Sequence, residues 1–235
     1  MRRNGMAKLY GVGVGPGDPE LMTLKAVRVI EECDIVAIPK SGQSINVAYT
    51  IAKGAIPDLD KKLVAELDMP MTRDRGKLEA SHDAAAEQVK KWLDEGKNVA
   101  FLTLGDPTIY STYAYVHNRV RDAGYETEIL SGIPSFCAVS ARLNDSLTEG
   151  EEALHIIPAS YKGTEEALLM KGTKVLMKSG KSIGKLKEYI HSMENPPTVK
   201  MVERCGMEGE RVFENIEAID ENASYFSVLI VRDKK

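Results

Sequence analysis

The chain is predicted to be an α/β protein of two α/β domains, the N-terminal one on a mostly parallel sheet and the C-terminal one on a mixed sheet. Three observations lead there. Strand-like and helix-like runs alternate through the first half, the pattern of βαβ units. Three apolar runs end in turns made of glycine, proline, serine and aspartate, at Gly13–Asp18, Gly105–Tyr110 and Ser131–Ser135. The second half holds more strand-like runs and fewer helices, which implies mixed pairing. A length of 235 residues suits one large or two compact domains, and 43% hydrophobic residues suffice for real cores. The boundary is placed at Gly124–Tyr125, giving domains 1–124 and 125–235.

Met1–Gly5 reads as a polar leader. Lys8–Val14 is a buried strand, followed by a turn with Asp18 as helix cap and Pro19 at the first helical position. Leu21, Leu24, Val27 and Ile30 then recur at helical spacing. Asp34–Ile38 is a strand stopped by Pro39, Ser44–Gly54 a helix, and Lys62–Leu67 a short strand. Gly76–Glu95 is a long helix ended by Gly96. Asn98–Leu104 is a strand, Tyr110–Ala123 a helix ended by Gly124, Glu126–Leu130 a strand, and Ser135–Arg142 a helix. Further strands are expected at Ala153–Pro158, Thr173–Met177, Thr198–Val202, Arg211–Phe213 and Tyr225–Val231, with a helix at Ser182–Ser192.

The net charge is −4 and the isoelectric point near 5.7, which argues against broad nucleic-acid or anionic-membrane binding. Cys33, Cys137 and Cys205 are odd in number and far apart, so neither a disulfide framework nor a zinc site is expected, and a reducing cytoplasm fits. The four histidines form no HxxH or HExxH pattern, and no protein-built metal site is expected. No apolar run reaches the ~18 residues of a membrane span.

The first glycine turn fails the dinucleotide count. In the G-x-G-x-x-G frame, the sixth place falls on Pro16 or on Asp18. Its glycines serve either a tight turn with positive φ at Gly15 or Gly17, or a backbone brought close to a ligand. Four glycines in seven residues favour the second. Ser179-Gly180-Lys181-Ser182 is not a P-loop, because Val175 stands where its first glycine belongs. At Gly105-Asp106-Pro107, Asp106 either caps the next helix or presents a carboxylate at the mouth of the sheet. Ligands of open α/β sheets bind beyond the strands' carboxyl ends. Together the turns describe a site of backbone groups, small hydroxyls and one carboxylate, suited to an adenosyl ligand more than to a polyphosphate.

GVGVGPGDPELMTLKA, LTLGDPTIYST, LSGIPSF, KVLMKSGKS and VERCGMEGERV, in this order, resemble the tetrapyrrole methylases, class III S-adenosylmethionine-dependent methyltransferases of corrin and sirohaem synthesis. The resemblance runs from about Lys8 to Val231 and is most specific in the first three motifs. Within the family, LGDPTIYST and ERCGMEGERV are most similar to the enzymes that methylate C-20 of precorrin-2 or cobalt-precorrin-2 on the way to cobalamin. It implies a homodimer of two-domain chains, with S-adenosylmethionine in the cleft between the domains and S-adenosylhomocysteine as product. The implied cofactor-binding positions are Pro16, Gly105, Asp106, Thr108, Ile109, Tyr110, Ser135, Phe136, Met177 and Cys205.

Methyl transfer from a sulfonium is an in-line displacement that needs positioning and no side-chain nucleophile. Asp106 is the carboxylate expected to take the proton that methylation releases. Cys205 is expected to pack. Lys40, Arg73, Arg75, Lys178 and Arg204 are the expected contacts to the carboxylates of the tetrapyrrole substrate. Other class III methyltransferases, of diphthine-synthase or ribosomal-RNA type, and a dinucleotide-dependent dehydrogenase are the competing readings.

Overall fold

The computed structural model describes residues 6–40, 46–159 and 163–234. The expected leader Met1–Gly5, and Ser44 at the expected start of a helix, lie outside the described residues. The chain divides into two compact units, Met1–Pro134 and Ser135–Lys235.

The first unit holds strands β1 (Lys8–Gly13), β2 (Ile35–Lys40), β3 (Leu63–Asp68), β4 (Val99–Thr103) and β5 (Glu126–Leu130). They form one parallel sheet in the order β3-β2-β4-β1-β5. Helices α1 (Leu24–Glu32) and α2 (Val47–Ala55) cover one face, and α3 (Arg75–Asp94) and α4 (Tyr113–Asp122) the other. The strands show the division residue by residue. Val36, Ala100 and Leu102 pack with Ala26, Ile30 and Ile51, whereas Ile35, Val99 and Phe101 pack with Val89, Tyr113 and Val116. A parallel sheet covered on both faces needs apolar residues at consecutive positions, as the sequence supplies.

β5 settles where the first unit ends. It pairs with β1 from Lys8↔Glu126 to Val12↔Leu130, so the division falls about ten residues after the expected Gly124–Tyr125. Further departures each have a physical cause. Asp18 caps only a 3-10 turn, Pro19–Leu21; α1 begins at Leu24, where the Thr23 hydroxyl accepts from Ala26 N–H at 3.1 Å. Leu24, which keeps the helical spacing, stands at the first position of α1 and is 90% exposed. Pro39 lies inside β2 and does not stop it. β2 pairs with β4 only over Ile35–Ala37, so the amide hydrogen that Pro39 lacks costs no ladder bond. Finally, α4 starts at Tyr113, because Tyr110 adopts φ +49° and interrupts the helical path.

The second unit holds β6 (Leu154–Pro158), β7 (Thr173–Met177), β8 (Thr198–Glu203), β9 (Arg211–Phe213) and β10 (Ser227–Arg232), in the order β6-β7-β10-β8-β9. β6 and β7 are parallel, and β10 runs antiparallel to both β7 and β8. The sheet is mixed, as expected. α7 (Ile183–Ser192) packs Ile183, Leu186 and Ile190 against Leu176, Met201 and Leu229. α5 (Ser135–Arg142) packs against β8 and β10. The short α6 (Thr164–Leu168) has no counterpart in the sequence reading. Among the described residues no helix is long and apolar enough to cross a membrane.

Lys174 of β7 is fully buried and bonds Asp233, which also accepts from Gly172 N–H at 3.0 Å. Burial pushes the Asp233 carboxyl up, but Lys174 and Gly172 outweigh it and hold it below the usual range. The two partners are unequal, because the Asp233 side chain is half exposed and can rehydrate, whereas the ammonium cannot. Asp233→Asn is therefore expected to cost about 3 kcal/mol in urea unfolding, and Lys174→Met less than about 1 kcal/mol.

Candidate active site

β4, β1 and β5 are adjacent and parallel, so their carboxyl ends lie side by side. The three turns singled out in the sequence leave the sheet there and lock onto one another through the main chain. Gly105 N–H donates to Gly15 O at 2.8 Å, and Gly15 N–H returns a bond to Gly105 O at 3.3 Å. Gly15 has φ +78°, as one of the two sequence readings requires. Gly13 and Gly132 sit against each other with no space for a side chain. A Cβ on Gly13 would lie 2.6 Å from Gly132 N and 2.7 Å from Gly105 O. One on Gly132 would strike the Gly105 carbonyl. The ring of Tyr113 occupies the place of a Cβ on Gly11. Gly11, Gly13 and Gly132 are thus each required by internal packing.

Asp106 completes this lock. It is 6% exposed. Thr108 donates to Oδ1 twice, from its amide at 2.8 Å and its hydroxyl at 2.6 Å. The Ser131 hydroxyl and the Gly132 amide, the latter at 3.0 Å, donate to Oδ2. Burial pushes the carboxyl up, but the bonds from Ser131, Thr108 and Gly132 outweigh it and hold Asp106 below the usual carboxylate range. A carboxylate with both oxygens engaged and a lowered pKa accepts a proton poorly. These bonds tie the loop after β4 to the turn after β5.

Ser131 and Gly132 were not among the expected site residues. Their turn was legible, but a hydrogen bond between positions 25 residues apart was not. Thr103, at the end of β4, was also missed. Its Oγ1 is buried and has no hydrogen-bond partner among the described residues. Pro16 is buried, Thr108 exposed, and Tyr110 47% exposed in its left-handed conformation. Lys40 is exposed at the end of β2 and pairs with Glu66 at 2.5 Å. Arg73 and Arg75 are exposed beside the Asp74 cap of α3. All three sit on the β2–β3 side of the sheet, and the structure does not bring them to the interlocked turns.

The remaining expected residues belong to the second unit. Phe136 is buried and Ser135 half-buried at the start of α5. Met177 and Val202 both face Val228 in register, so the ends of β7 and β8 flank the start of β10. Lys178 and Arg204 follow those ends with φ +58° and +55°. Non-glycine residues in this region store about 1–3 kcal/mol of strain each and gather at functional sites. Lys178 Nζ lies 5.9 Å from the ring centre of Tyr225, a residue no pattern marked. Arg204 donates from Nε to Glu208 O at 2.7 Å and from its amide to Phe226 O at 2.9 Å. Glu203, nearly buried, accepts from Ser224 N–H and from Arg211 Nε, both at 2.6 Å. Burial, then Glu210, pushes the Cys205 thiol up to about 11, which fits packing and not nucleophilic attack.

Residues 8–220 match the model of the tetrapyrrole (corrin/porphyrin) methylases. The chain belongs to this family. This tetrapyrrole methylase is 36% identical over 230 residues to a probable cobalt-precorrin-2 C(20)-methyltransferase of Methanocaldococcus jannaschii, with 96% of each chain covered. It is 29% identical over 236 residues to the precorrin-2 C(20)-methyltransferase of a Sinorhizobium species, with 97% of this chain and 96% of that one covered. Among solved structures, a uroporphyrin-III C-methyltransferase from Thermus thermophilus superposes with a TM-score of 0.69 at 25% identity, over 97% of this chain and 93% of the other. One complexed with S-adenosyl homocysteine shares the fold at a TM-score of 0.70 and 19% identity, over 96% and 92%.

Two outcomes test the geometry. Asp106→Asn puts a donor among donors and is expected to cost about 2 kcal/mol of stability. In the unaltered chain the Asp106 carboxyl is lower folded than unfolded. Its contribution is therefore full above the unfolded value of about 4 and is lost as pH falls through the folded one. Acid unfolding followed by circular dichroism should show a shallower acid limb in Asp106→Asn. Thr103→Val removes a buried hydroxyl without changing shape. It is expected to leave Tm unchanged or higher while weakening S-adenosylhomocysteine binding about fivefold by calorimetry.

Proposed function

We propose that this tetrapyrrole methylase transfers the methyl group of S-adenosylmethionine to C-20 of precorrin-2 or cobalt-precorrin-2, a step of cobalamin biosynthesis. The observation that carries the proposal is the end-to-end match, with 96% of both chains covered, to a relative named for that reaction. The acceptor class follows from the family, and the donor from the neighbour complexed with S-adenosyl homocysteine.

The residues present fit such a donor. The turns at the ends of β4, β1 and β5 offer main-chain groups, the Thr108 hydroxyl and the unpartnered Thr103 Oγ1, and the Asp106 carboxylate among them has both oxygens engaged by hydrogen-bond donors. When bound, S-adenosylmethionine supplies an electrophilic methyl group on a sulfonium. The turns of the first unit hold the donor through Pro16, Gly105, Thr108, Ile109 and Tyr110, and their rigidity fixes where the methyl carbon sits. Asp106 keeps the Gly105–Tyr110 loop and the Ser131–Ser135 turn in register, and does not accept the proton released at the ring.

Lys178 and Arg204 bind acetate or propionate carboxylates of the substrate. Both stand at strand ends, held in left-handed backbone that nothing in the sheet itself requires. Tyr225 offers its exposed ring beside Lys178. The enzyme works as a homodimer in the cytoplasm.

Incubation with labelled methyl donor and each of precorrin-2 and cobalt-precorrin-2, with the product located by NMR, is expected to place the label at C-20. Label at another carbon, or none, overturns the assignment. S-adenosylhomocysteine should raise Tm and NAD or NADP should not. Lys178→Glu is expected to raise KM for the tetrapyrrole about tenfold or more and to leave S-adenosylhomocysteine affinity unchanged.

A further inference from the structure

The second unit contains a small cavity far along its sheet from Lys178 and Arg204. It lies where the end of α5, the start of β8 and the end of β10 meet, with a volume of about 30 Å³. Arg232 from β10, Lys200 and Thr198 from β8, and Ser140, Asp145 and Ser146 around the end of α5 contribute its polar lining. A closed space needs roughly 10–15 Å³ to hold one water, so this one has room for a single larger particle and little more.

Arg232 decides what that particle is. Its Nη1 donates to Asp145 Oδ1 at 2.9 Å. Its Nε and Nη2 are buried and have no hydrogen-bond partner among the described residues. These two nitrogens form one edge of the guanidinium fork, with their hydrogens pointing the same way, the arrangement that grips an anion from two sides. A guanidinium cannot lose its proton to escape the shortfall, so the edge calls for an acceptor. The hydroxyls and charged groups around it point their own bonds elsewhere, and none accepts from Arg232 Nε or Nη2. The Ser140 hydroxyl is bound to Asp145 O. The Thr198 hydroxyl donates to Arg232 O at 3.3 Å. Asp145 Oδ2 faces Lys200 Nζ at 3.9 Å, and Lys200 also pairs with Glu214 at 3.2 Å. Arg232 and Lys200 are the cations of the lining and Asp145 its carboxylate, with Glu214 pairing Lys200 from outside it, so the Nε–Nη2 edge of Arg232 is the part of this charge network left without an acceptor.

We propose that this cavity is a site for a small monovalent anion of chloride size, gripped by Arg232 Nε and Nη2 with Lys200 nearby. The anion ties α5, β8 and β10 together at the strand ends opposite those that carry Lys178 and Arg204. It is a structural ion, independent of the methyl-transfer assignment.

Bromide tests this on the unaltered chain. Crystals soaked in sodium bromide are expected to show an anomalous peak within hydrogen-bond distance of Arg232 Nε and Nη2. In solution, replacing gluconate by chloride at equal ionic strength is expected to raise Tm by about 3 °C. Arg232→Gln should abolish that difference, and Lys200→Gln should weaken it. Methyl-transferase activity is not the readout, so failure here leaves the functional assignment standing. A site that holds only water density without anomalous signal, or a Tm with no preference for chloride over gluconate, overturns the proposal even if Arg232→Gln does not fold.

Discussion

The Asp106 carboxylate is the point on which the interlocked turns of the first unit depend. It sits one residue past the glycine that bridges to the first turn, and it receives donors from its own loop and from the turn after β5. Parallel strands leave a sheet with no obligation to keep their connecting loops in contact. Here the Gly15–Gly105 bridge ties the first loop to the second, and Asp106 ties the second to the third. A buried carboxylate costs free energy unless it is paired, and the bonds from Thr108, Ser131 and Gly132 supply that compensation. The result is a main-chain surface held rigid without side chains in the way, which is what an enzyme needs when positioning does most of the catalysis.

This explains why the glycines crowd where they do. Gly11 leaves room for Tyr113, Gly13 and Gly132 leave room for each other, and Gly15 turns the chain through a left-handed conformation. None of these demands is a phosphate-binding demand, and the missing third glycine of the dinucleotide pattern is the trace of that difference in the sequence. The second unit works by other means. Its sheet brings the ends of β7 and β8 to either side of the start of β10, and the strain there falls on Lys178 and Arg204. Long basic side chains held by an unfavourable backbone suit the recognition of an acidic substrate, as the small backbone-lined turns of the first unit suit an adenosyl group.

The secondary structure was largely legible because hydrophobic periodicity and turn chemistry are local. Ser135–Arg142, Thr173–Met177 and Arg211–Phe213 lie where the pattern places them. The misreadings came where a non-local fact overrode a local signal. Pro39 does not end its strand, because the neighbouring strand stops short of it. Strand β5 belongs to the first sheet, because pairing and not sequence order assigns a strand.

By itself the sequence determined the α/β class, the three turns, the family and thus the chemistry. Those rest on residue types at short spacing, and short spacing survives in one dimension. Only the tertiary structure decided what the residues in those turns do. Asp106 could be read as cap, base or ligand until Ser131 and Gly132 were seen to donate to it. Thr103, Tyr225 and the open edge of Arg232 gave no sign in the sequence. A hydrogen-bond partner, or the lack of one, depends on distances between segments that the chain order does not encode.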